Sequence, residues 1–107
     1  MSALRLAYLF LALLGATLPM REFLTWLAAN DWSVSGMIDA WFANPAVAGL
    51  AWDLTISAAV LTLWIAVEAR ARGDRLALAV IPSIYLIGVS FALPFYLFLR
   101  SRPTERD

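Results

Sequence analysis

Asp53 is the residue most able to do chemistry in an otherwise apolar part of the chain. It is the only charged residue within 46–67, and Ser57 lies one helical turn further along the same face. A charged side chain at the centre of a membrane helix costs about 2.5–3.5 kcal/mol on insertion scales, so it usually faces a partner, a cavity or a ligand. We therefore treat Asp53 as a candidate ligand-binding or catalytic residue. A structural role, in which it hydrogen-bonds to a neighbouring helix, is the alternative.

Tryptophans form the second signal, because four of the five lie between residues 26 and 52, among acidic and amide side chains. An aromatic belt at headgroup depth is the common use of such residues. Aromatic faces beside carboxylates also suit a long apolar ligand with a polar or cationic end. The residues that we predict to bind such a ligand are Asp53, Ser57, Trp52, Trp41, Asn44, Trp26, Asp39 and Asp31.

The residue types that are absent exclude several kinds of site. The chain has no Cys and no His, and all eight basic residues are Arg, so thiolate catalysis, haem ligation and lysine Schiff bases are excluded. We predict no metal site and no cofactor. Eight acidic residues balance the eight arginines, so the net charge gives no reason to expect a nucleic-acid partner.

The elements that must position these residues are membrane helices. Hydrophobic residues make up 63% of the chain and charged residues only 15%, against about 25% in soluble domains. We predict an all-α integral membrane protein with one membrane domain over 1–107. Three transmembrane helices are expected at about 3–20, 46–67 and 76–99, followed by a polar tail at 100–107. A cleaved signal peptide is the alternative for the first of these spans.

Residues 21–45 carry too many polar groups for a further span. We predict two short amphipathic helices in the membrane interface, Glu22–Ala29 and Ser35–Ala43, with Ser35 as the N-cap of the second. The span over 76–99 is long enough to require a tilt or a kink, for which Pro82 and Pro94 are the candidate sites.

With three membrane spans, the arginines do not decide how the chain is oriented in the membrane. Four arginines then fall on each side of the membrane, so the positive-inside rule gives a tie. We expect a cytoplasmic N-terminus, because the first helix usually dominates. The expected location is the bacterial inner membrane.

Several short motifs along the chain resemble one family. They are Phe42-Ala-Asn-Pro45, Asp53, Glu68 with Arg70, Gly88-Val-Ser90, Leu93-Pro94 and Arg100. In order and spacing they resemble domain-of-unknown-function family 2834, a bacterial family of small three-helix membrane proteins. The resemblance implies a three-span architecture and marks Asn44, Asp53, Ser90 and Pro94 as positions of interest. It implies no activity.

Three functions remain open from the sequence. The leading one is a non-catalytic membrane subunit or binding protein for a hydrophobic ligand: an isoprenoid, a quinone, a carotenoid or a lipid. The second is an acid-initiated isoprenoid cyclase of the lycopene-cyclase type, in which Asp53, or alternatively Asp31 and Asp39, would protonate an olefin. The third is a structural assembly subunit. The expected partners are membrane lipid, and either further copies of the chain or a larger membrane complex.

Overall fold

The computed structural model describes residues 2–102, and all regular structure within that range is helical. Two of its helices, Ala3–Ala29 and Pro45–Ala71, are long and apolar enough to cross a membrane, judged by length and composition. Three such helices were expected. The elements in chain order are α1 (Ala3–Ala29), α2 (Val34–Trp41), α3 (Pro45–Ala71), α4 (Arg75–Leu78), α5 (Ile81–Leu86) and α6 (Val89–Arg100).

Helix α1 continues past Pro19 to Ala29 without a break. The prediction of a separate interfacial helix beginning at Glu22 is therefore wrong. Proline removes one helical hydrogen bond, because it has no N–H to donate to the carbonyl four residues earlier. Here that carbonyl belongs to Gly15, and it accepts a hydrogen bond from the Ser90 hydroxyl at 2.8 Å instead. The tertiary contact compensates for the missing bond.

Side-chain caps define the connection from α1 to α3. Asp31 and Trp32 adopt positive φ angles of 55° and 59°, which turn the chain after α1. The Ser33 hydroxyl then accepts from the N–H of Gly36 at 3.0 Å, so Ser33 is the N-cap of α2, and the prediction of Ser35 is wrong. Asn44 caps α3, because its side-chain oxygen accepts from the Val47 N–H at 3.0 Å.

The chain from α4 to α5 runs along α3, away from its C-terminal end. The Tyr85 hydroxyl lies 2.8 Å from the Thr62 hydroxyl. Thr62 is about 14 Å from the C-terminal end of α3, at a rise of 1.5 Å per residue. The helix breaks after Leu78, whose carbonyl would be the helical partner of the absent N–H of Pro82. The chain is thus interrupted near Pro82, one of the two expected kink sites, whereas Pro94 lies inside a continuous α6.

Helix α6 runs in the opposite direction, back toward the C-terminal end of α3. Gly88 adopts a φ of 134°, a backbone conformation that side chains with a Cβ rarely allow, and the chain turns there. Ser90 then contacts Gly15 in the middle of α1, and Arg100 pairs with Glu68 near the end of α3. Residues 75–100 therefore form a helical hairpin, and the expected third span over 76–99 is not confirmed.

Both ends of the hairpin lie beside the start of α1 and the end of α3. Arg5 donates to the Ser101 hydroxyl and to the Phe98 carbonyl, both at 3.1 Å, and Arg102 pairs with Asp74. We call this the basic end. Three straight spans would put arginines 100 and 102 at the other end, so the predicted four-to-four division of the arginines is wrong. The part of the tail beyond residue 102 lies outside the described residues.

The buried core occupies only the half of the molecule nearest the basic end. It forms where the hairpin packs on the second half of α3, and Ile65 and Tyr96 are its largest fully buried side chains. The first half of α3 and most of α1 remain exposed. The buried core residues are Leu61, Ile65, Ala69, Ala77, Val80, Ile84, Ala92, Tyr96 and Leu99.

Candidate functional site

Two clefts lie end to end along one face of α1. Their α1 residues follow one another at helical spacing from Tyr8 to Asn30, which places them on a single face about 33 Å long. We call the pair the α1 trough. The part nearer the basic end, the lower cleft, has a volume of about 610 Å³. The upper cleft, toward α2, has a volume of about 470 Å³.

The lower cleft is almost entirely apolar. It exists because α1 packs on α6 while the first half of α3 stands away from α1 and contributes only Leu54 to the lining. The Ser90 hydroxyl donates to the Gly15 carbonyl, so its proton is not free to donate to a ligand. The lining residues are Tyr8, Leu11, Leu14, Gly15, Leu18, Pro19, Leu54, Val89, Ser90, Leu93, Pro94 and Leu97.

The upper cleft is aromatic and carries polar groups. Trp26 and Trp41 face it from α1 and α2, and the ring of Trp41 packs on that of Phe23 with centroids 5.9 Å apart. Neither indole N–H donates to an acceptor within residues 2–102. The lining residues are Glu22, Phe23, Thr25, Trp26, Ala29, Asn30, Met37, Ala40 and Trp41.

A family model matches residues 7–102, which is nearly the whole chain. The chain belongs to DUF2834, a family of proteins of unknown function. The family resemblance predicted from the sequence is thereby confirmed. No curated protein and no solved structure matches this DUF2834 chain significantly. The description of the family specifies no activity, so a function must be argued from the geometry of the trough and its surroundings.

Of the predicted ligand-binding residues, this DUF2834 chain brings only Trp26 and Trp41 together at one cleft. Asp53 is exposed on α3, lines neither cleft, and forms no hydrogen bond or ion pair within residues 2–102. Ser57 is half-buried one turn away, and within the same range it does not hydrogen-bond to Asp53. Trp52 is exposed and packs edge-on against Phe42 at 5.7 Å.

The remaining predicted residues lie near α2. Asp31 forms part of the turn after α1, and Asp39 is exposed on α2. The side chain of Asn44 is occupied as the N-cap of α3. These positions are separated because α2 and its flanking turns spread the residues over different faces, whereas the sequence shows only that they are close along the chain. The predicted aspartates therefore do not form one acidic site.

Glu68 is the best-connected carboxylate among the described residues. One of its oxygens accepts from the Tyr96 hydroxyl at 2.6 Å and from Arg100, and the other accepts from the Trp64 indole at 3.1 Å. Arg72, one turn further along α3, lies 3.8 Å from the oxygen that Tyr96 and Arg100 share. Both carboxylate oxygens are hydrogen-bonded, and the bonds to Tyr96 and Arg100 fix the hairpin to α3.

Sequence reasoning missed most of this cluster. Trp64 and Glu68 are four residues apart on α3, a spacing that could have identified that pair. Tyr96 and Arg100 also share a face of α6, but nothing in the sequence shows that α6 runs back toward Glu68. The contact depends on the reversal at Gly88.

Proposed function

We propose that this chain is a non-catalytic integral membrane protein that binds one amphiphilic molecule with a long apolar chain, an isoprenoid or a lipid, in the α1 trough. The observation that carries the proposal is the polarity gradient along one face of α1. The lower cleft offers almost entirely apolar contacts over about 17 Å of helix, from Tyr8 to Pro19. The upper cleft adds indole N–H groups and the carboxylate of Glu22 for a polar end.

A membrane setting is supported by what α1 and α3 leave uncovered. Only 6% of the apolar window of α1 and 17% of that of α3 are buried, whereas a core helix of a soluble protein would be mostly buried. Large side chains such as Leu63, Val67 and Leu86 are 67–75% exposed. We propose that α1 and α3 cross the bilayer and that the hairpin enters from the basic end and returns to it. Irregular backbone at that depth is tolerated where protein covers it.

The charge distribution supports one orientation. The basic end carries six arginines and two acidic residues: Arg5, Arg70, Arg72, Arg75, Arg100 and Arg102 with Glu68 and Asp74. The rest of the described chain carries Arg21 with Glu22, Asp31, Asp39 and Asp53. By the positive-inside rule the basic end faces the cytoplasm. The N-terminus is then cytoplasmic, in the inner membrane if the host is a bacterium, and the upper cleft opens toward the outer surface.

The trough favours binding over the cyclase alternative. Acid-initiated cyclisation needs a protonated carboxyl group within hydrogen-bond reach of the olefin. Asp31, Asp39 and Asp53 line neither part of the trough. The one carboxylate that does, Glu22, is 71% exposed and lines the upper cleft, not the apolar lower cleft that would hold an isoprenoid chain.

Native mass spectrometry of the protein in mild detergent, with an absorption spectrum of the same sample, tests the proposal. Stoichiometric retention of an isoprenoid, quinone, carotenoid or single lipid species is the expected result. Leu14→Trp should release that molecule, because the larger indole would block part of the lower cleft that Leu14 lines. Leu86→Trp is the matched control, since Leu86 is 75% exposed on the hairpin and lines neither cleft.

Two outcomes would count against the proposal. Retention of bulk phospholipid in proportion to its abundance would indicate an ordinary lipid-facing groove. A specific ligand that survives Leu14→Trp, or that is lost equally in Leu86→Trp, would place its site elsewhere.

A further inference from the structure

Arg21 on α1 and Asp53 on α3 carry opposite charges at nearly the same distance from the basic end. Arg5 and Glu68 lie at about the same height in the molecule, at the basic end. Arg5 donates to the Phe98 carbonyl and Glu68 accepts from Arg100, and both of these partners are near the end of α6. Arg21 lies sixteen residues beyond Arg5, about 24 Å along α1. Asp53 lies fifteen residues before Glu68, about 22 Å along α3.

Neither charge has a strong partner within the described chain. The Arg21 side chain is 73% exposed, and its ion pair within residues 2–102 is with the adjacent Glu22 at 3.6 Å. Adjacent residues point in different directions on a helix, so this pair is weakly held. Asp53 has no ion pair in the same range, and α1 packs on α6 rather than on α3. The two charges therefore do not meet within one molecule.

Each charge lies on an exposed apolar stripe. On α3 the stripe alternates steps of three and four residues, the spacing of a helix–helix seam, and its members are Asp53, Ile56, Val60, Leu63 and Val67. Its four large side chains are 60–69% exposed. On α1, Phe10, Thr17 and Leu24 recur every seven residues, with Arg21 on the same face. These stripes have the form of surfaces that pack against another helix.

We propose that the two stripes bind each other between copies of this chain, with Arg21 of one copy paired to Asp53 of the next. Copies inserted in the same orientation place α1 antiparallel to a neighbouring α3, which brings the two charges to the same level. Because the two surfaces differ, the contact is head-to-tail and forms a closed ring when its rotation permits. A symmetric α3–α3 contact would instead oppose two Asp53 carboxylates, which repel each other.

Charge reversal tests this interface directly. The oligomeric state of the full chain would be measured in mild detergent by native mass spectrometry and light scattering over a range of protein concentrations. We expect Arg21→Glu and Asp53→Arg each to raise the apparent dissociation constant about tenfold or more, as for close charge pairs in other interfaces. The double variant Arg21→Glu with Asp53→Arg restores the pair in reverse and should recover assembly. Asp39→Arg, an exposed reversal outside both stripes, should assemble like the wild type.

The double variant also separates a lost interface from a misfolded chain, since a misfolded double variant would not reassemble. A monomeric wild type would overturn the proposal. So would single reversals that assemble normally, a double variant that does not recover, or a foreign polypeptide held at Asp53 in place of a second copy.

Discussion

Gly15→Ala should separate α1 from α6 at their closest approach. A Cβ added at Gly15 would lie 1.9 Å from the Ser90 carbonyl oxygen, 2.3 Å from its carbon and 2.9 Å from the Phe91 nitrogen. Real Cβ contacts essentially never fall below 3.0 Å, so α6 must move by about 1 Å. The obstructing atoms belong to the backbone, which means that no side chain can rotate to make room.

The expected loss of stability has two parts. Overpacking of this kind costs about 1–3 kcal/mol. The movement also weakens the 2.8 Å hydrogen bond from Ser90 to the Gly15 carbonyl, for a further loss of about 1 kcal/mol. Gly49→Ala is the matched control, because nothing lies within 4 Å of a Cβ added there. Both variants gain similar helix propensity, so their difference of about 2–4 kcal/mol isolates the clash.

The assay is unfolding of the purified protein in mixed micelles as sodium dodecyl sulfate is titrated into mild detergent, followed by tryptophan fluorescence. Trp64 reports on the hairpin, because its ring packs edge-on against Tyr96 with centroids 5.3 Å apart. Gly15→Ala should unfold at a lower detergent fraction than both the wild type and Gly49→Ala. Equal midpoints for the two alanine variants would refute the close crossing of α1 and α6.

Three further predictions concern the hairpin and its position. Glu68→Gln should lower the free energy of unfolding by about 1–3 kcal/mol in the same titration, because the charged bonds that fix α6 to α3 are lost. The Arg102 guanidinium donates to Asp74 and holds the pKa of that carboxyl below its ordinary value. Asp74 therefore adds stability above about pH 4, and the advantage of the wild type over Asp74→Asn, measured by thermal unfolding, should shrink as the pH falls further. The chain has no cysteine, so Ser35→Cys and Ser101→Cys each introduce a unique thiol. In intact cells an impermeant maleimide should label position 35 and not position 101.

Each of these has a clear contrary result. A Gln variant as stable as the wild type would mean that Glu68 does not fix the hairpin. If the stability advantage of the wild type over Asp74→Asn stays constant down to pH 3, the pair of Asp74 with Arg102 does not stabilise the fold. Labelling of both cysteines from outside would place positions 35 and 101 on the same side of the membrane, as three straight spans require.

Local features of the structure were predictable where local chemistry decides them. Two of the three expected spans, at about 3–20 and 46–67, lie within the helices α1 and α3, whereas the capping role of Asn44, expected to bind a ligand, was not predicted. Pro82 was expected as a kink site because proline cannot donate a helical hydrogen bond, and the helix is broken just before it. The break expected after Pro19 was wrong, because a serine from a distant helix occupies the carbonyl that proline leaves free.

The candidate site was only partly predictable. Tryptophan clustering led to Trp26 and Trp41, which do share the upper cleft. The lower cleft was missed, because it forms between α1 and a helix more than seventy residues later, and its leucines look like any other lipid-facing residues. Asp53 was expected to face a ligand, yet in the described chain it lies outside the trough.

The sequence alone determined the helical class, the apolar character and the family, since composition, spacing and motifs are local properties of the chain. Only the tertiary structure decided where residues 75–100 go. A straight helix and a hairpin have the same apolar composition, and the choice depends on the positive φ of Gly88 together with contacts to Gly15 and Glu68. That reversal gathers six arginines at one end, and it places α6 against α1, where it forms a wall of the trough.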